Sequence, residues 1–230
     1  MQIDRIEEGA IFVADAHYPH HGDALPKLLD SIESGRVVTT QLFLMGDIFD
    51  LLIGGLEYSY IPNQTIIDTI NRLSQTIDIH YIEGNHDFRL QPIFPNIQIY
   101  PRASQPLFMS YNGKRVGLSH GDIYACGVAH NIMSRVIRSS IFVTLAKPIQ
   151  RYLIDRQITI LTKKSISHTI DRFDKLADTI IASYGETDII IEGHLHQARI
   201  YQNYISLPSL AVHSQIGVMM NGKVVFKDML

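Results

Sequence analysis

One cysteine, Cys126, is all that this 230-residue chain contains. No intramolecular disulfide can form, which fits a reducing compartment, and a thiolate-built metal site is excluded as well. Long hydrophobic runs are also missing: none approaches the ~18 residues of a membrane span. The start, MQIDRIEEG, lacks the basic region and apolar run of a secretory signal. The expectation from these absences is a cytoplasmic protein, free or peripheral on the inner face of the membrane. There is no strong excess of one charge sign, since 20 Lys and Arg stand against 23 Asp and Glu for a net charge of −3. A nucleic-acid partner is therefore not expected. There is no internal repeat and no low-complexity stretch, and nothing specifies an oligomeric state.

Apolar residues make up 46% of the chain, enough for one sizeable core, and the length suits a single domain over residues 1–230. Ala10 to Val13 (AIFV) and Gln41 to Met45 (QLFLM) read as buried strands that run into Asp15 and into Gly46-Asp47. Ile79 to Ile82 leads in the same way into Gly84-Asn85-His86-Asp87. Between them, Asp23 is placed to cap a helix reaching Ser34 and stopped by Gly35, and Asn63 to cap one reaching Gln75. This alternation predicts an α/β sheet packed between layers. Further on, Asn112-Gly113 and Asn221-Gly222 are two-residue hairpin signals, and Ile189 to Ile191 runs into Gly193-His194-Leu195-His196. The stretch from about Tyr124 to Tyr184 reads as helical, broken at Pro148, ended at Gly185 and inserted into the alternating pattern.

Histidine is plentiful, 11 in all, and its positions are informative. Five polar clusters each follow an apolar strand-like run: Asp15-Ala16-His17, Gly46-Asp47, Gly84-Asn85-His86-Asp87, His120-Gly121-Asp122 and Gly193-His194-Leu195-His196. Open α/β sheets bind ligands outside the carboxyl ends of their strands, where side chains from distant segments meet. Carboxylates, imidazoles and an amide oxygen suit Mn, Fe, Zn or Ni. Two such ions held ~3.5–4 Å apart clamp a phosphoryl group and lower the pKa of a bridging water. An aspartate shared by both would hold them that close. Any one cluster is common by chance, but five in this order, each at a strand end, point to a binuclear metal centre.

In that order the clusters resemble the motif set of the calcineurin-like metallophosphoesterases, and the resemblance covers most of the chain, from Asp15 to His196. It implies a four-layer α/β/β/α sandwich that hydrolyses phosphate esters or phosphoanhydrides. It also implies one divalent ion on Asp15, His17 and His196, a second on Asn85, His120 and His194, and Asp47 bridging them. Manganese is the first candidate, with iron, zinc and nickel as the others. His86 would act near the phosphate as a proton donor to the leaving oxygen or as a stabiliser of developing charge. Asp87 would orient His86 and favour its protonated form. Asp50 and Asp122 read as residues that orient the ligands.

From Tyr124 to Lys164 seven basic residues, among them Arg135 and Arg138, face one acidic residue, Asp155. This segment carries +6, which leaves −9 on the remainder of a chain whose total is −3. Aliphatic residues at helical spacing accompany the charges: Ile132, Met133, Val136, Ile137, Ile141 and Leu145 are examples. Such a segment suits an anionic membrane surface or an acyl-chain cleft; it equally suits a helix packed on the core with a solvated basic face. An inserted helical lid of this kind, with Gly46-Asp47-Ile48-Phe49-Asp50 and Asn85-His86-Asp87-Phe88, is similar to the UDP-2,3-diacylglucosamine diphosphatases. Those peripheral membrane enzymes of lipid A synthesis split a pyrophosphate to a lipid monosaccharide phosphate and UMP. The family has arginine where this chain has His86. The resemblance implies a lipid-nucleotide substrate, with Arg135, Arg138 and Arg89 as candidate phosphate contacts. The alternatives are a soluble phosphodiesterase or phosphatase acting on a phosphorylated small molecule, and a non-catalytic scaffold. The scaffold is disfavoured because all seven ligand positions and His86 are present. Of the other histidines, His20 and His21 read as loop residues near the first motif, His130 and His168 as surface or lid residues, and His213 as remote. Cys126 reads as a buried thiol.

Overall fold

The computed structural model of the chain describes residues 4–125, 127–163, 165–167 and 169–229. Cys126, Lys164 and His168, and the first three residues of the start, lie outside the described residues. In chain order the strands are β1 (Ile11–Val13), β2 (Gln41–Leu44), β3 (Leu52–Ile53), β4 (Asp78–Ile82), β5 (Asp87–Phe88), β6 (Gln98–Tyr100), β7 (Leu107–Tyr111), β8 (Lys114–Ser119), β9 (Ile189–Glu192), β10 (Arg199–Tyr201), β11 (Tyr204–Ser206), β12 (Gln215–Met220) and β13 (Lys223–Asp228). The helices are α1 (Ala24–Glu33), α2 (Gln64–Leu73), α3 (Asp122–Ala125), α4 (Val128–Ile137), α5 (Ser140–Ala146), α6 (Gln150–Leu161), α7 (Phe173–Ser183) and α8 (Leu210–His213). One sheet has the order β13-β12-β1-β2-β4-β6 and a second the order β10-β11-β9-β8-β7, while β3 and β5 pair with each other.

Side-chain alternation along the strands produces the layers. Ile11, Val13, Leu42, Leu44, Ile79 and Tyr81 face α1 and α2, which present Leu25, Leu28, Leu29 and Ile32, and Ile66, Ile67, Ile70 and Leu73, at helical spacing. The intervening residues Phe12, Phe43 and Ile82 face the second sheet and meet Val116, Leu118, Ile189 and Ile191. Phe12 and Phe43 stack with ring centroids 4.8 Å apart. Truncating either to alanine between two close-packed sheets would cost about 3–5 kcal/mol. On the outer face of the second sheet, Phe173, Ala177 and Ile180 of α7 cover Ile190 and Tyr204. The result is the α/β/β/α sandwich that the resemblance implies.

The local signals are met with two refinements. Asn112-Gly113 and Asn221-Gly222 both have positive φ at each central residue (48° and 79°, 50° and 83°), as a hairpin turn matched to strand twist requires. Asp23 and Asn63 stand before α1 and α2 without closing either helix by a side-chain hydrogen bond. Pro148 lies in a tight turn, Lys147–Ile149, between α5 and α6. Val143, Ala146 and Ile154 seat α5 and α6 on Leu51, Ile53, Leu56 and Phe88 of the β3–β5 pair. Among the described residues no helix is long and apolar enough to cross a membrane.

Candidate metal centre

Strands β1, β2 and β4 run parallel, as do β8 and β9. The turns that follow these five strands carry the polar clusters. Asp15 (φ 53°), His17 (45°), Asp47 (53°), His194 (58°) and His196 (54°) all adopt left-handed backbone. For a residue with a Cβ each such conformation costs on the order of 1 kcal/mol, and it persists only where surrounding contacts enforce it. Five together make this edge the most strained part of the backbone. Close approach of the loops demands glycine as well: a Cβ at Gly46, where φ is +87°, would lie 2.5 Å from His120 Nδ1 and 2.9 Å from the Gly84 Cα.

The turns converge on three overlapping sets of donor atoms, each within 4.8 Å of one another: Asp15, His17 and His196; His17, Asp47 and His86; and Asp47, His120 and His194. Asp47 and His17 each belong to two sets. Asn85 joins the third, with Oδ1 3.1 Å from His120 Nε2. The buried His17 Nε2 has no hydrogen-bond partner among the described residues, and Asp15 Oδ1 faces His196 Nε2 at 3.0 Å. Burying a polar atom without a partner is costly, and a divalent cation would supply what His17 lacks. The donors are carboxylate, imidazole and amide, as the sequence indicates, so the residues fit a pair of divalent ions.

Ring orientation is fixed from outside the cluster. His120 Nδ1 lies 3.0 Å from the Met45 carbonyl, His196 Nδ1 2.7 Å from the Ile166 carbonyl, and His86 Nδ1 2.8 Å from the Asp50 carbonyl. Each Nδ1–H donates to its carbonyl oxygen, which leaves Nε2 as the nitrogen aimed inward. Burial pushes the His17 and His194 imidazoles down to about 4, so both are neutral. Burial acts on His196 in the same sense, but Asp15, 3.0 Å from its Nε2, outweighs it and lifts the ring to about 9. His120 is likewise held well above its ordinary value by Asp47 against the effect of burial. Burial would raise Asp47, yet His86 and His120 hold it well below the carboxylate range. With no cation, protons on His120 and His196 balance the two aspartates.

Asp87 departs from expectation. Its carboxylate turns away from the His86 ring and accepts the backbone N–H groups of Asp47 (2.9 Å), Ile48 (2.7 Å) and Gly84 (2.9 Å) and the Tyr81 hydroxyl (2.7 Å). The residue therefore clamps the Gly46-Asp47 loop to the Gly84-Asn85 loop. The orienting contact on His86 comes from the Asp50 carbonyl, because β5 directs the side chain of Asp87 into the core while His86, one residue earlier, faces the pocket.

Residues 10–198 match the calcineurin-like phosphoesterase family. The chain belongs to that family. It is a hydrolase of phosphoric ester bonds. Similar curated relatives include a UDP-2,3-diacylglucosamine hydrolase from Blochmanniella floridana, 26% identical over 212 residues that cover 85% of this chain and 83% of the relative. Another of the same name from Histophilus somni (strain 129Pt) is 27% identical over 205 residues, covering 84% and 86%. Among solved structures, Yfce, a phosphoesterase from E. coli, gives a TM-score of 0.46 at 13% identity, with 96% of this chain and 99% of that chain covered.

In this phosphoesterase the donor cluster floors a cavity of about 320 Å³, whose wall includes His21, Asp50, His130, Leu161, Ser165 and Ile166. His130, exposed on α4, lines this pocket as a lid residue would, and the loop residue His21 lines it as well. No sequence periodicity marks them, because they enter from a loop and from α4. Asp50 gathers His20 (2.8 Å), His21 (3.5 Å) and His17 (3.9 Å) around one buried carboxylate. Asp122 is paired with Arg102 at 2.6 Å, and His213 sits on α8, bonded to the Ser209 carbonyl. Of the three candidate phosphate-contacting arginines, none lines this wall, but Arg138 lines an adjoining cleft of about 180 Å³ together with Asn85, His86 and His130. Arg135 is exposed on α4. Arg138 turns inward, with Nη2 donating to the Gly84 carbonyl at 2.5 Å and its guanidinium 4.6 Å over the Phe88 ring. Arg89 donates to the Arg138 carbonyl at 2.8 Å.

Proposed function

We propose that the protein is a binuclear metal-dependent hydrolase that cleaves the pyrophosphate bond of a lipid-linked nucleotide of the UDP-2,3-diacylglucosamine type. The observation that carries the metal-dependent part is the sharing of Asp47 between donor sets on either side of it. Asp15, His17, Asp47 and His196 would hold one ion, and Asp47, Asn85, His120 and His194 the other, with manganese as the first candidate. Two divalent ions there supply Lewis-acid polarisation of phosphoryl oxygens and a water made acidic enough to ionise near neutral pH. The chain's own contribution is positional. His86 holds Nε2 toward the pocket, 3.7 Å from Asp47 Oδ2, where the doubly protonated ring would donate a hydrogen bond to the departing phosphate oxygen as charge builds. Leu161 and Ile166 limit water access on the α6 side of the pocket.

Two observations support the lipid part. The curated relatives above carry the UDP-2,3-diacylglucosamine hydrolase name over more than four-fifths of the chain. In addition, α4, α5 and α6 expose Val128, Ile132, Met133, Val136, Ile141, Leu145 and Tyr152, next to the exposed cations Arg135 and Arg151. An exposed apolar face rimmed by cations suits an anionic bilayer surface, and we propose that this helical segment rests there as a lid over the pocket. His86, in place of the arginine of the lipid-specific enzymes, favours a second reading: a soluble phosphodiesterase or phosphatase of the same superfamily. An assay of the manganese-reconstituted protein against UDP-diacylglucosamine, UDP-glucose and bis-p-nitrophenyl phosphate decides between them. UMP release from the lipid substrate, stimulated by detergent, is the expected result. Hydrolysis confined to the soluble compounds would overturn the lipid assignment, and turnover unaffected by chelation would overturn the metal assignment.

A further inference from the structure

A second cleft, of about 420 Å³, opens beside the Gly84-Asn85 loop and shares no lining residue with the metal pocket, although Arg138 also borders a cleft of about 180 Å³ with Asn85 and His86. Its walls bring together Arg89, Arg102 and Arg138 with Glu83, Pro101 and Gln91. Only Arg102 is matched by a carboxylate, Asp122 at 2.6 Å. Among the described residues, Arg89 and Arg138 have no carboxylate within ion-pair distance. Arg89 donates through Nη1 to the Arg138 carbonyl (2.8 Å) and to Ser140 Oγ (3.3 Å), and Arg138 donates to Gly84 O and Ser134. In each the Nε is buried and unpartnered. The acid nearest in the cleft, Glu83, already accepts the Leu90 N–H at 2.9 Å through Oε1. Three guanidiniums therefore face a cleft whose one lining acid, Glu83, is engaged by a backbone N–H, while Asp122, outside the lining, is committed to Arg102. That is a fixed concentration of positive charge, with planar donors, in a semi-enclosed space.

We infer that this cleft is a phosphate-binding site separate from the metal centre, with Arg89 and Arg138 as its anchors. Guanidinium pairs recognise tetrahedral dianions through forked, charge-assisted hydrogen bonds that a single ammonium does not match. Arg138 also links the cleft to the catalytic edge, since the carbonyl it holds belongs to Gly84, the residue before Asn85. An anion that draws on Arg138 would bear on the loop that carries a proposed metal ligand.

The test is equilibrium dialysis of the full-length protein with radiolabelled inorganic phosphate, in the manganese-loaded state and after chelation. A saturable site that survives chelation and is weakened at least about tenfold by Arg89→Gln is the expected result. Absence of binding after chelation, or equal binding by Arg89→Gln, would overturn the inference. Should Arg89→Gln not fold, Arg89→Lys keeps the charge and loses the fork; binding as tight as the parent's would again refute it. A parallel titration with a soluble sugar 1-phosphate distinguishes the source. Tighter binding of the sugar phosphate assigns the cleft to a phosphomonoester, and tighter binding of inorganic phosphate assigns it to the free ion.

Discussion

Replacing Asp87 by alanine separates a structural clamp from a catalytic partner of His86. Four hydrogen bonds of 2.7–2.9 Å end on this carboxylate, three from backbone N–H groups and one from Tyr81. Hydrogen bonds to a charged acceptor contribute ~1.5–3 kcal/mol each, and buried donors left without partners cost a similar amount. Two effects reduce the sum. Water entering the space vacated by the side chain restores part of the bonding. The native carboxyl is also itself penalised by burial, which raises it above its ordinary range and returns some energy when it is removed. A net loss of about 3–5 kcal/mol remains. For a chain of this length that lowers Tm by roughly 10 °C, at about 2–4 °C per kcal/mol. Because the clamp joins the loops of Asp47 and Asn85, manganese affinity should fall as well, by about 10- to 100-fold. Thermal unfolding and a manganese titration read the two effects separately. Asp87→Asn, which keeps one acceptor oxygen, should lose less in both. If Asp87→Ala melts within about 2 °C of the parent, binds manganese normally and loses only kcat, the clamp is wrong and Asp87 acts through His86 after all.

Gly46→Ala, which forces a Cβ against His120 Nδ1 and a side chain onto φ +87°, should cut manganese affinity and destabilise the fold by about 2 kcal/mol or more; calorimetric titration with an unchanged Kd would contradict this. In chelated protein, His17 and His194 have folded values near 4, below the ordinary 6.5. Their contribution is thus complete above pH 6.5 and is lost as pH falls toward 4. His196, raised to about 9, contributes fully below pH 6.5 and loses that contribution as pH rises through 9. Tm of the chelated protein should therefore decline on both sides of a maximum near pH 6.5, and a flat profile from pH 5 to 9 would refute the assignment. Finally, Ile141 and Leu145, exposed by 74% and 70%, should be replaceable by serine without loss of Tm. At ~1.5–3 kcal/mol for each buried side chain, partitioning onto anionic vesicles should weaken about tenfold or more; unaltered partitioning would exclude this face from the bilayer.

What the sequence made legible here is set by locality. A strand-end Asp-x-His or Gly-His-x-His is visible because its apolar run, its turn and its ligands are neighbours in the chain, and the parallel strands then carry all five clusters to one edge. The hairpins at Asn112-Gly113 and Asn221-Gly222 are visible for the same reason. The partner of a buried polar side chain is not, because it is chosen by tertiary packing. Asp87 and His86 are adjacent in sequence, and the family resemblance implied that they work as a pair. Asp87 opens β5 with its side chain in the core while His86, just before the strand, faces the pocket, and the carboxylate reaches across 39 and 40 residues to the N–H groups of Ile48 and Asp47. Arg135 and Arg138 lie three apart, and helical spacing suggested one cationic face. Arg138, at the C-cap of α4, is nevertheless held inward by the Gly84 carbonyl and the Phe88 ring. Strand-end ligands are found by reading along the chain, whereas the clamps and arginines that hold those ligands in place are found only across it, and a single substitution there should disturb metal binding without touching a metal ligand.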